Sequence, residues 1–325
     1  MILLDVLLLV VGFIALIKGA DWFVDGSSAL AKNFKVPGVI VGLTIVALGT
    51  SAPELAVSTS AALQGSNEIA LSNVVGSNIF NLLCVLGVCA FIHTIPVDDG
   101  ILKRDFPLSI AATVLVLLMT SFGAVSSGSF LKGNMADVAG NVSRATGAVL
   151  LIIFAAYIAY LIYDARKNPD KEEAGELLPI WKCFLLILIG LALIIAGGQA
   201  VVYSAKEIAR TMGMTETLIG LTVVALGTSL PELVTSIVAA RKGETGLAVG
   251  NVVGSNIFNL LFILGISSTI HPIAVNVASV YDMIILIIVS VITYAFAVKG
   301  KSIRRAEGVM MVLIYAADMV FAVMR

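Results

Sequence analysis

The sequence predicts an all-α polytopic membrane protein whose ten transmembrane helices form two inverted five-helix repeats. Three observations lead to this fold class. Hydrophobic residues make up 59% of the 325 residues and charged residues only 13%, about half the charged share of a soluble domain. The apolar residues fall into ten segments, each close to the ~20 residues that a helix needs to cross a bilayer. The second half of the chain also repeats motifs of the first half at a constant offset of 178 positions.

The composition excludes several classes of protein. The chain is too apolar for a soluble globular enzyme or a disordered protein, and its mean hydropathy is +1.05. A net charge of −1 leaves no basic surface for nucleic acid. We therefore expect the lipid bilayer as surroundings, no nucleic-acid partner, no obligatory protein partner and no cofactor. The three cysteines, Cys84, Cys89 and Cys183, lack the spacing of a disulfide framework or a zinc site.

The ten apolar segments are the predicted spans. Their approximate limits are 3–26, 38–63, 69–92, 106–123, 145–163, 181–204, 216–240, 247–269, 279–298 and 306–324. No small-residue cleavage site follows the first segment, so we expect it to be retained as a span.

A charged linker at 166–179 separates a first half, 1–165, from a second half, 180–325. Arg166, Lys167 and Lys171 lie in this linker, and the positive-inside rule places it in the cytoplasm. Five spans on either side then place both termini outside the cell. We expect a multi-pass protein of the plasma membrane.

The two halves share two nearly identical motifs. Gly42–Ser51 recurs as Gly220–Ser229, and Asn73–Leu83 recurs unchanged as Asn251–Leu261. Over the 56 positions that begin at the two glycines, 34 are identical. Because each half has an odd number of spans, the second copy enters the membrane inverted, which is typical of alternating-access transporters. Packing alone would not require the same Glu, Asn, Ser and Thr in both copies.

Each first motif contains a carboxylate in the middle of a predicted span, Glu54 and Glu232. An ionised carboxylate in hydrocarbon costs at least ~2.5 kcal/mol and therefore needs a partner. No Lys or Arg lies near either motif, so a cation is the natural partner. Pro53 and Pro231 lack an N–H, and the backbone carbonyls that they free around Gly49–Thr50 and its counterpart are further oxygen ligands.

The second motif of each half supplies hydroxyl and amide oxygens. Its Ser and last Asn are four residues apart and share a helix face, whereas its first Asn lies about 100° away, where it could bond the backbone. The residues are Ser77, Asn81 and Asn78 in the first half and Ser255, Asn259 and Asn256 in the second. These hard oxygens disfavour Zn and Cu and suit Ca²⁺ or several Na⁺ ions better than Mg²⁺.

The paired motifs resemble those of the sodium/calcium exchanger family, within the cation/calcium exchanger superfamily, over nearly the whole chain. The chain looks like a minimal prokaryotic-type member, with alpha-repeats at about 40–90 and 218–268. The resemblance implies an antiporter, not an enzyme, that exchanges Na⁺ for Ca²⁺ by alternating access. It also implies about three Na⁺ per Ca²⁺ and electrogenic transport.

The resemblance also implies ion ligands. For Ca²⁺ they are Glu54, Glu232 and the backbone carbonyls of Thr50 and Thr228. For Na⁺ they are the same glutamates with Ser51, Ser77, Ser229, Ser255 and the carbonyls of Ala47 and Ala225. Asn81 and Asn259 complete the central site. Many members carry Asp at the position of Asn259, so we expect no K⁺ requirement here.

The main alternative is an H⁺-coupled Ca²⁺/cation antiporter that titrates the same two glutamates. The Ser–Asn sets favour Na⁺, because proton coupling would not need extra neutral ligands. A channel would usually need a ring of symmetric subunits, and no nucleophile–base pair supports an intramembrane enzyme.

Three charged residues lie in the second half of the first span, Lys18, Asp21 and Asp25. They could form a cation vestibule or gate. We interpret them instead as an interfacial end with local pairing, because the matching positions in the second half, Ala196, Gln199 and Tyr203, are uncharged.

Overall fold

The computed structural model describes residues 2–65, 67–169, 177–214, 219, 223 and 225–324. Helices dominate this part of the chain. They are α1 (Ile2–Phe34), α2 (Gly38–Thr50), α3 (Ala52–Leu63), α4 (67–92), α5 (Ile101–Ser127), α6 (Arg144–Lys167), α7 (Ile180–Thr211), α8 (Leu230–Arg241), α9 (Thr245–Ile270), α10 (Val277–Gly300) and α11 (Arg305–Met324). A short helical turn, Ala225–Gly227, precedes α8.

Four short strands tie the two halves together outside the helices. They are β1 (Ile95–Pro96), β2 (Val138–Val142), β3 (Ile273–Asn276) and β4 (Ser302–Ile303). β1 pairs antiparallel with β4, and β2 pairs antiparallel with β3. Each pair joins a strand of the first half to a strand of the second, so the halves are linked at loop level as well as through the helices.

Seven of the described helices are long and apolar enough to cross a membrane, and eight if the bent pair α2–α3 forms one span. They correspond to eight of the ten expected segments. The seventh expected segment, 216–240, includes residues outside the described part, and α11 lies in the tenth. The chain is thus a mostly helical, multi-pass membrane protein.

The long helices differ sharply in burial, which shows where the core lies. The apolar window of α9 is 94% buried and that of α4 72%, against 17% for α1. α4 and α9 carry the two Ser–Asn motifs. The functional candidates are therefore on the innermost helices, while α1 leaves most of its apolar surface for lipid.

α1 and α7 pack as an antiparallel pair along a seam of glycines. A Cβ added at Gly19 would lie 2.7 Å from the Gly190 carbonyl oxygen, and one at Gly197 would lie 2.7 Å from the Gly12 carbonyl oxygen. Only glycine lets two membrane helices approach this closely. Gly12 and Gly190, like Gly19 and Gly197, are related by the repeat offset. Both halves therefore contribute glycines at matching positions to the seam.

A buried ion-pair network closes one end of α5 and α6. The Arg104 guanidinium donates to both carboxylate oxygens of Asp105, at 2.7 and 3.0 Å, and to Asp164 Oδ2 at 2.6 Å. The Tyr157 hydroxyl donates to Asp105 Oδ1 at 2.9 Å. Asp105 is fully buried, and such a charge is tolerated only when it is paired. The sequence pattern gave no sign of this network.

Candidate functional site

Both predicted carboxylates follow a break in a helix. α2 ends at Thr50, α3 begins at Ala52, and their axes differ by 50°. Ser51, between them, has φ −82° and ψ 9°, which is outside the helical range. Ser229 repeats this geometry before α8, with φ −93° and ψ 8°. The expectation that the proline motifs open the helix is confirmed.

The break places each carboxylate in the first turn of a new helix. Glu54 lies in the first turn of α3 and Glu232 in the first turn of α8, each directly after a proline. A helix N-terminus favours negative charge, because its backbone N–H groups point at the carboxylate. Both glutamates are fully buried, so this local stabilisation acts away from bulk solvent.

The two halves hold each other's carboxylates. Ser51 Oγ donates to Glu232 Oε1 at 2.8 Å, and Ser229 Oγ donates to Glu54 Oε1 at 2.9 Å. Each donor therefore lies in the helix break of one half and its acceptor in the other. The structure brings Glu54 and Glu232 into a single site at the centre of the molecule.

The serines of the second motifs complete this layer. The hydroxyl oxygens of Ser51 and Ser255 are 3.0 Å apart, and those of Ser229 and Ser77 are 3.1 Å apart. All four serines are buried. The predicted hydroxyl ligands of Na⁺ thus form two matched pairs, one beside each carboxylate.

Four asparagines form the other side of the site. The first Asn of each second motif donates to the backbone carbonyl of the other: Asn78 Nδ2 to Asn256 O at 3.1 Å, and Asn256 Nδ2 to Asn78 O at 3.3 Å. The possibility that these two bond the backbone is confirmed. Asn81 Nδ2 then donates to Asn256 Oδ1 at 3.2 Å, and Asn259 Nδ2 to Asn78 Oδ1 at 3.0 Å.

This arrangement leaves buried acceptors without a donor. Among the described residues, Oε2 of Glu54 and of Glu232, and Oδ1 of Asn81 and of Asn259, have no hydrogen-bond partner. Buried polar atoms are nearly always paired, and no basic side chain of the described residues forms a salt bridge with either glutamate. Oxygen acceptors that converge without donors are the chemistry of a cation site.

Two further asparagines position the carboxylate helices, and the sequence analysis did not single them out. Asn73 Nδ2 donates to Ser58 Oγ at 3.0 Å, and Asn251 Nδ2 donates to Ser236 Oγ at 2.9 Å. The Thr50 hydroxyl donates to Asn251 Oδ1 at 3.0 Å. Asn73 and Asn251 are the first residues of the two identical motifs. The identity of the motifs was the sequence signal that could have pointed to them.

The remaining predicted ligands are backbone carbonyls near the breaks. The Ala47 carbonyl accepts from the Ser51 N–H at 3.0 Å and lies 3.4 Å from the Thr50 hydroxyl. Thr228 lies in the turn between Gly227 and α8. Ala225 begins the helical turn before it, and its side chain is outside the described part. Among the described residues no three His, Cys, Asp or Glu side chains group to bind a metal, so any cation here relies on two carboxylates and neutral oxygens.

π-helical turns lie at or near the residues of the site in three helices. α2 contains a π-helical turn at Gly42–Val46, just before its break. α4 has a π-helical turn at Asn81–Val85 and α9 one at Phe258–Ile263. Such turns are rare and frequent at functional sites, because they redirect side chains and weaken local hydrogen bonds. Asn81 and Asn259 both lie in these turns, which the sequence alone did not reveal.

The charges midway along α1 are paired, as interpreted from sequence, but α1 continues beyond them to Phe34 and their main partner is distant in sequence. Lys18 Nζ lies 3.7 Å from Asp21. Lys242 Nζ, beyond α8, lies 3.1 Å from Asp21 Oδ1 and 2.7 Å from Asp25 Oδ1. These residues are separate from the buried site and hold α1 against the end of α8.

The fold and the site define a multi-pass membrane protein with a buried, oxygen-rich cation site shared by its two halves. The family model described as "Sodium/calcium exchanger protein" matches residues 4–163 and 182–324. The chain therefore belongs to the sodium/calcium exchanger family, a family of cation/Ca²⁺ antiporters and not of enzymes.

Individual relatives agree with this membership. The chain is 37% identical to "Putative antiporter CaxA" of Alkalimonas amylolytica, covering 96% of this chain and 97% of the relative. It is 33% identical to "Sodium/calcium exchanger MaX1" of Methanosarcina acetivorans, covering 98% of this chain and 99% of that one. A solved structure of the sodium-calcium exchanger NCX_Mj superposes with a TM-score of 0.82 at 31% identity, over 98% of this chain and 99% of that one.

Proposed function

We propose that this protein exchanges Na⁺ for Ca²⁺ across the membrane by alternating access. One observation carries the proposal: two buried carboxylates from opposite halves face a common site and keep oxygens without donors. A divalent cation between them would neutralise both charges and take up these acceptors. The printed name of the Methanosarcina relative, a sodium/calcium exchanger, supports the identity of the ions.

In the proposed site, Ca²⁺ binds both glutamates and the carbonyls of Thr50 and Thr228. Na⁺ binds the same glutamates with the hydroxyls and carbonyls of the two breaks and second motifs. These ligands are Ser51, Ser77, Ser229, Ser255, Ala47 and Ala225, with Asn81 and Asn259 at the centre. The unpaired amide oxygens of both asparagines support their place as neutral ligands.

Coupling follows from sharing two carboxylates. Ca²⁺ and a full set of Na⁺ compete for the same oxygens, so only one set binds at a time. A site with bound cations has little net charge and can change its access, whereas the empty, doubly negative site cannot. This rule makes Ca²⁺ movement in one direction depend on Na⁺ movement in the other.

We also propose the finer properties of the transport. Exchange of about three Na⁺ for one Ca²⁺ moves one net charge per cycle, which is worth ~2.3 kcal/mol per 100 mV. A negative-inside membrane would then favour Na⁺ entry and Ca²⁺ export. The neutral side chain at Asn259 supports independence from K⁺, because no third carboxylate is present for another cation.

The proposed architecture is ten helices in two inverted five-helix halves, 1–165 and 180–325, joined by a cytoplasmic linker at 166–179. Both termini lie outside, and the protein resides in the plasma membrane. The reciprocal Ser–Glu and Asn–Asn contacts between the halves support a two-fold relation between them.

The test is Ca²⁺ uptake by purified protein in sealed proteoliposomes, at equal pH and clamped voltage, with internal Na⁺ or internal choline. We expect uptake only with internal Na⁺, and its loss in Glu54→Gln and in Glu232→Gln. Glu207→Gln is the matched control, because this carboxylate lies outside the site and pairs with Arg210. Uptake that ignores Na⁺ and follows a pH gradient would instead establish H⁺-coupled exchange through the same glutamates.

A further inference from the structure

A large apolar cavity lies between the α1–α7 pair and helices α2 and α6. Its volume is about 840 Å³, within the range of pockets that hold small ligands. It opens toward the membrane side of the molecule, since Phe34 and Leu48 in its wall are more than half exposed. The cavity is separate from the ion site, because neither glutamate lines it.

The described lining residues are apolar except for Thr44 and for two cations at one end of the cavity. Lys35 follows the last residue of α1, and Arg166 lies in the last turn of α6. Both are exposed, and neither forms an ion pair with another described residue. No acidic side chain of the described residues lines the cavity. Two other cations, in contrast, have acidic partners: Arg104 pairs with Asp105 and Asp164, and Lys32 lies near Glu244.

An elongated apolar cavity with a basic end fits an amphiphile with an anionic head. Because the cavity opens at membrane depth, its occupant comes from the bilayer. We propose that it binds one anionic phospholipid, with an acyl chain between α1, α2 and α6 and the phosphate between Lys35 and Arg166. Basic pockets between transmembrane helices on the cytoplasmic side recognise anionic headgroups in this way.

The cavity wall gives such a lipid contact with both α1 and the end of α2. Gly49 lies in the wall, one residue before Thr50, and a Cβ added there would lie 2.9 Å from Phe23 of α1. An acyl chain in the cavity therefore touches α1 and the segment of α2 directly before its break. The bound lipid becomes part of the contact between the α1–α7 pair and the ion-binding core.

The test is native mass spectrometry of the purified full chain in detergent, titrated with phosphatidylglycerol or phosphatidylcholine. We expect one retained phosphatidylglycerol, and about 30-fold weaker retention in the double variant Lys35→Gln, Arg166→Gln. The matched control is Lys167→Gln, Lys299→Gln, which removes two exposed cations outside the cavity and should leave retention unchanged. Phosphatidylcholine retention should be weak and equal in all proteins.

A second variant tests the acyl-chain part of the site. Ala165→Trp fills the cavity from α6 without changing charge and should also abolish phosphatidylglycerol retention, with size-exclusion elution confirming that the protein remains folded. Equal retention of both lipids, loss in the control variant, or full retention in either cavity variant would overturn the proposal. The readout does not involve transport, so it is independent of which ions are exchanged.

Discussion

The proposed ion site is symmetric between the two halves, whereas the contact between α1 and α8 is not. In the site, the serine hydrogen bonds to the carboxylates are matched between the halves: Ser51 with Glu232, and Ser229 with Glu54. At the end of α8, Lys242 binds Asp21 and Asp25 of α1, but the positions 178 residues away are Gln64, Gln199 and Tyr203. The chemistry at the centre is duplicated, while the charged contact at the periphery belongs to one side alone.

The symmetric site and the asymmetric contact serve two different purposes. Under the proposed function, a site that accepts the same ions from either side needs the same ligands in both orientations, which accounts for the duplicated residues at the centre. A contact that favours one orientation over the other has to be asymmetric. The Lys242 pairs, supported by the Ser28 hydroxyl donating to Glu244 Oε1 at 2.5 Å, hold α1 to α8 on one face only.

The largest expected effect tests the symmetry of the centre. Glu54→Gln and Glu232→Gln should each lower Ca²⁺ affinity more than 100-fold, because each removes one of two charges that bind a divalent ion. Isothermal titration calorimetry on the purified protein measures this. If the two variants differ by more than about threefold, the halves do not share the ion equally.

The glycine seam between α1 and α7 tests whether the symmetry extends to packing. Gly19→Ala and Gly197→Ala are related by the repeat, and in each the new Cβ would lie 2.7 Å from backbone oxygen. We expect each to cost ~1–3 kcal/mol, the usual cost of overpacking, and to lower the melting temperature in detergent by several degrees.

Gly198→Ala is the control for the seam. Its Cβ would meet nothing closer than 3.8 Å, so its melting temperature should match or slightly exceed that of the unaltered protein, because Ala has a higher helix propensity than Gly. A control variant that melts as early as the seam variants would contradict close approach as the cause of their loss of stability.

The serines in the helix breaks provide a milder test of the centre. Ser51→Ala and Ser229→Ala each remove a donor to the opposite glutamate together with one proposed Na⁺ ligand. The loss of a hydrogen bond to a charged group is worth ~1.5–3 kcal/mol, so the Na⁺ concentration for half-maximal exchange should rise at least tenfold in both. Unchanged Na⁺ dependence in either variant would remove that serine from the ion site.

The smallest expected effect concerns the asymmetric contact. Lys242→Ala should speed hydrogen exchange in the last third of α1 by up to about fivefold, since partly exposed ion pairs contribute ~0.2–1 kcal/mol each. Gln64→Ala is the repeat-related control and should leave the exchange of α1 and α7 unchanged. Equal effects of the two substitutions would contradict an asymmetric contact.

The sequence predicted the class of protein and its family. The glutamates, serines and asparagines that it suggests as ion ligands lie together in the structure, and their role as ligands stays a prediction. Glu54, Glu232 and the Ser–Asn sets could be identified because burying oxygen-rich side chains in an apolar span is costly. The same residues also recur in both halves of the sequence.

The described spans number eight when α2 and α3 are counted as one, against ten expected. The seventh segment includes residues outside the described part, and α11, in the tenth, is not among the helices that are long and apolar enough to cross a membrane.

Several features could not be inferred from the sequence, because they depend on residues that are far apart along the chain. Nothing local in the sequence indicates that Lys242 meets Asp25, that Asp105 is buried beside Tyr157, or that Asn73 and Asn251 brace the carboxylate helices. The π-helical turns at Asn81 and Asn259 likewise depend on how neighbouring helices pack.

The sequence by itself therefore determined that the protein lies in a lipid bilayer, that its two halves are repeats, and which oxygen atoms it offers as ligands. Hydropathy, repetition and ligand chemistry are properties of residue types. The tertiary structure decided which atoms meet. Only the crossing of the two halves makes each serine donate to the other half's glutamate, leaves four acceptor oxygens unpaired, and opens an apolar cavity between α1, α2, α6 and α7. These are properties of distances between helices, which close packing sets and local sequence does not encode.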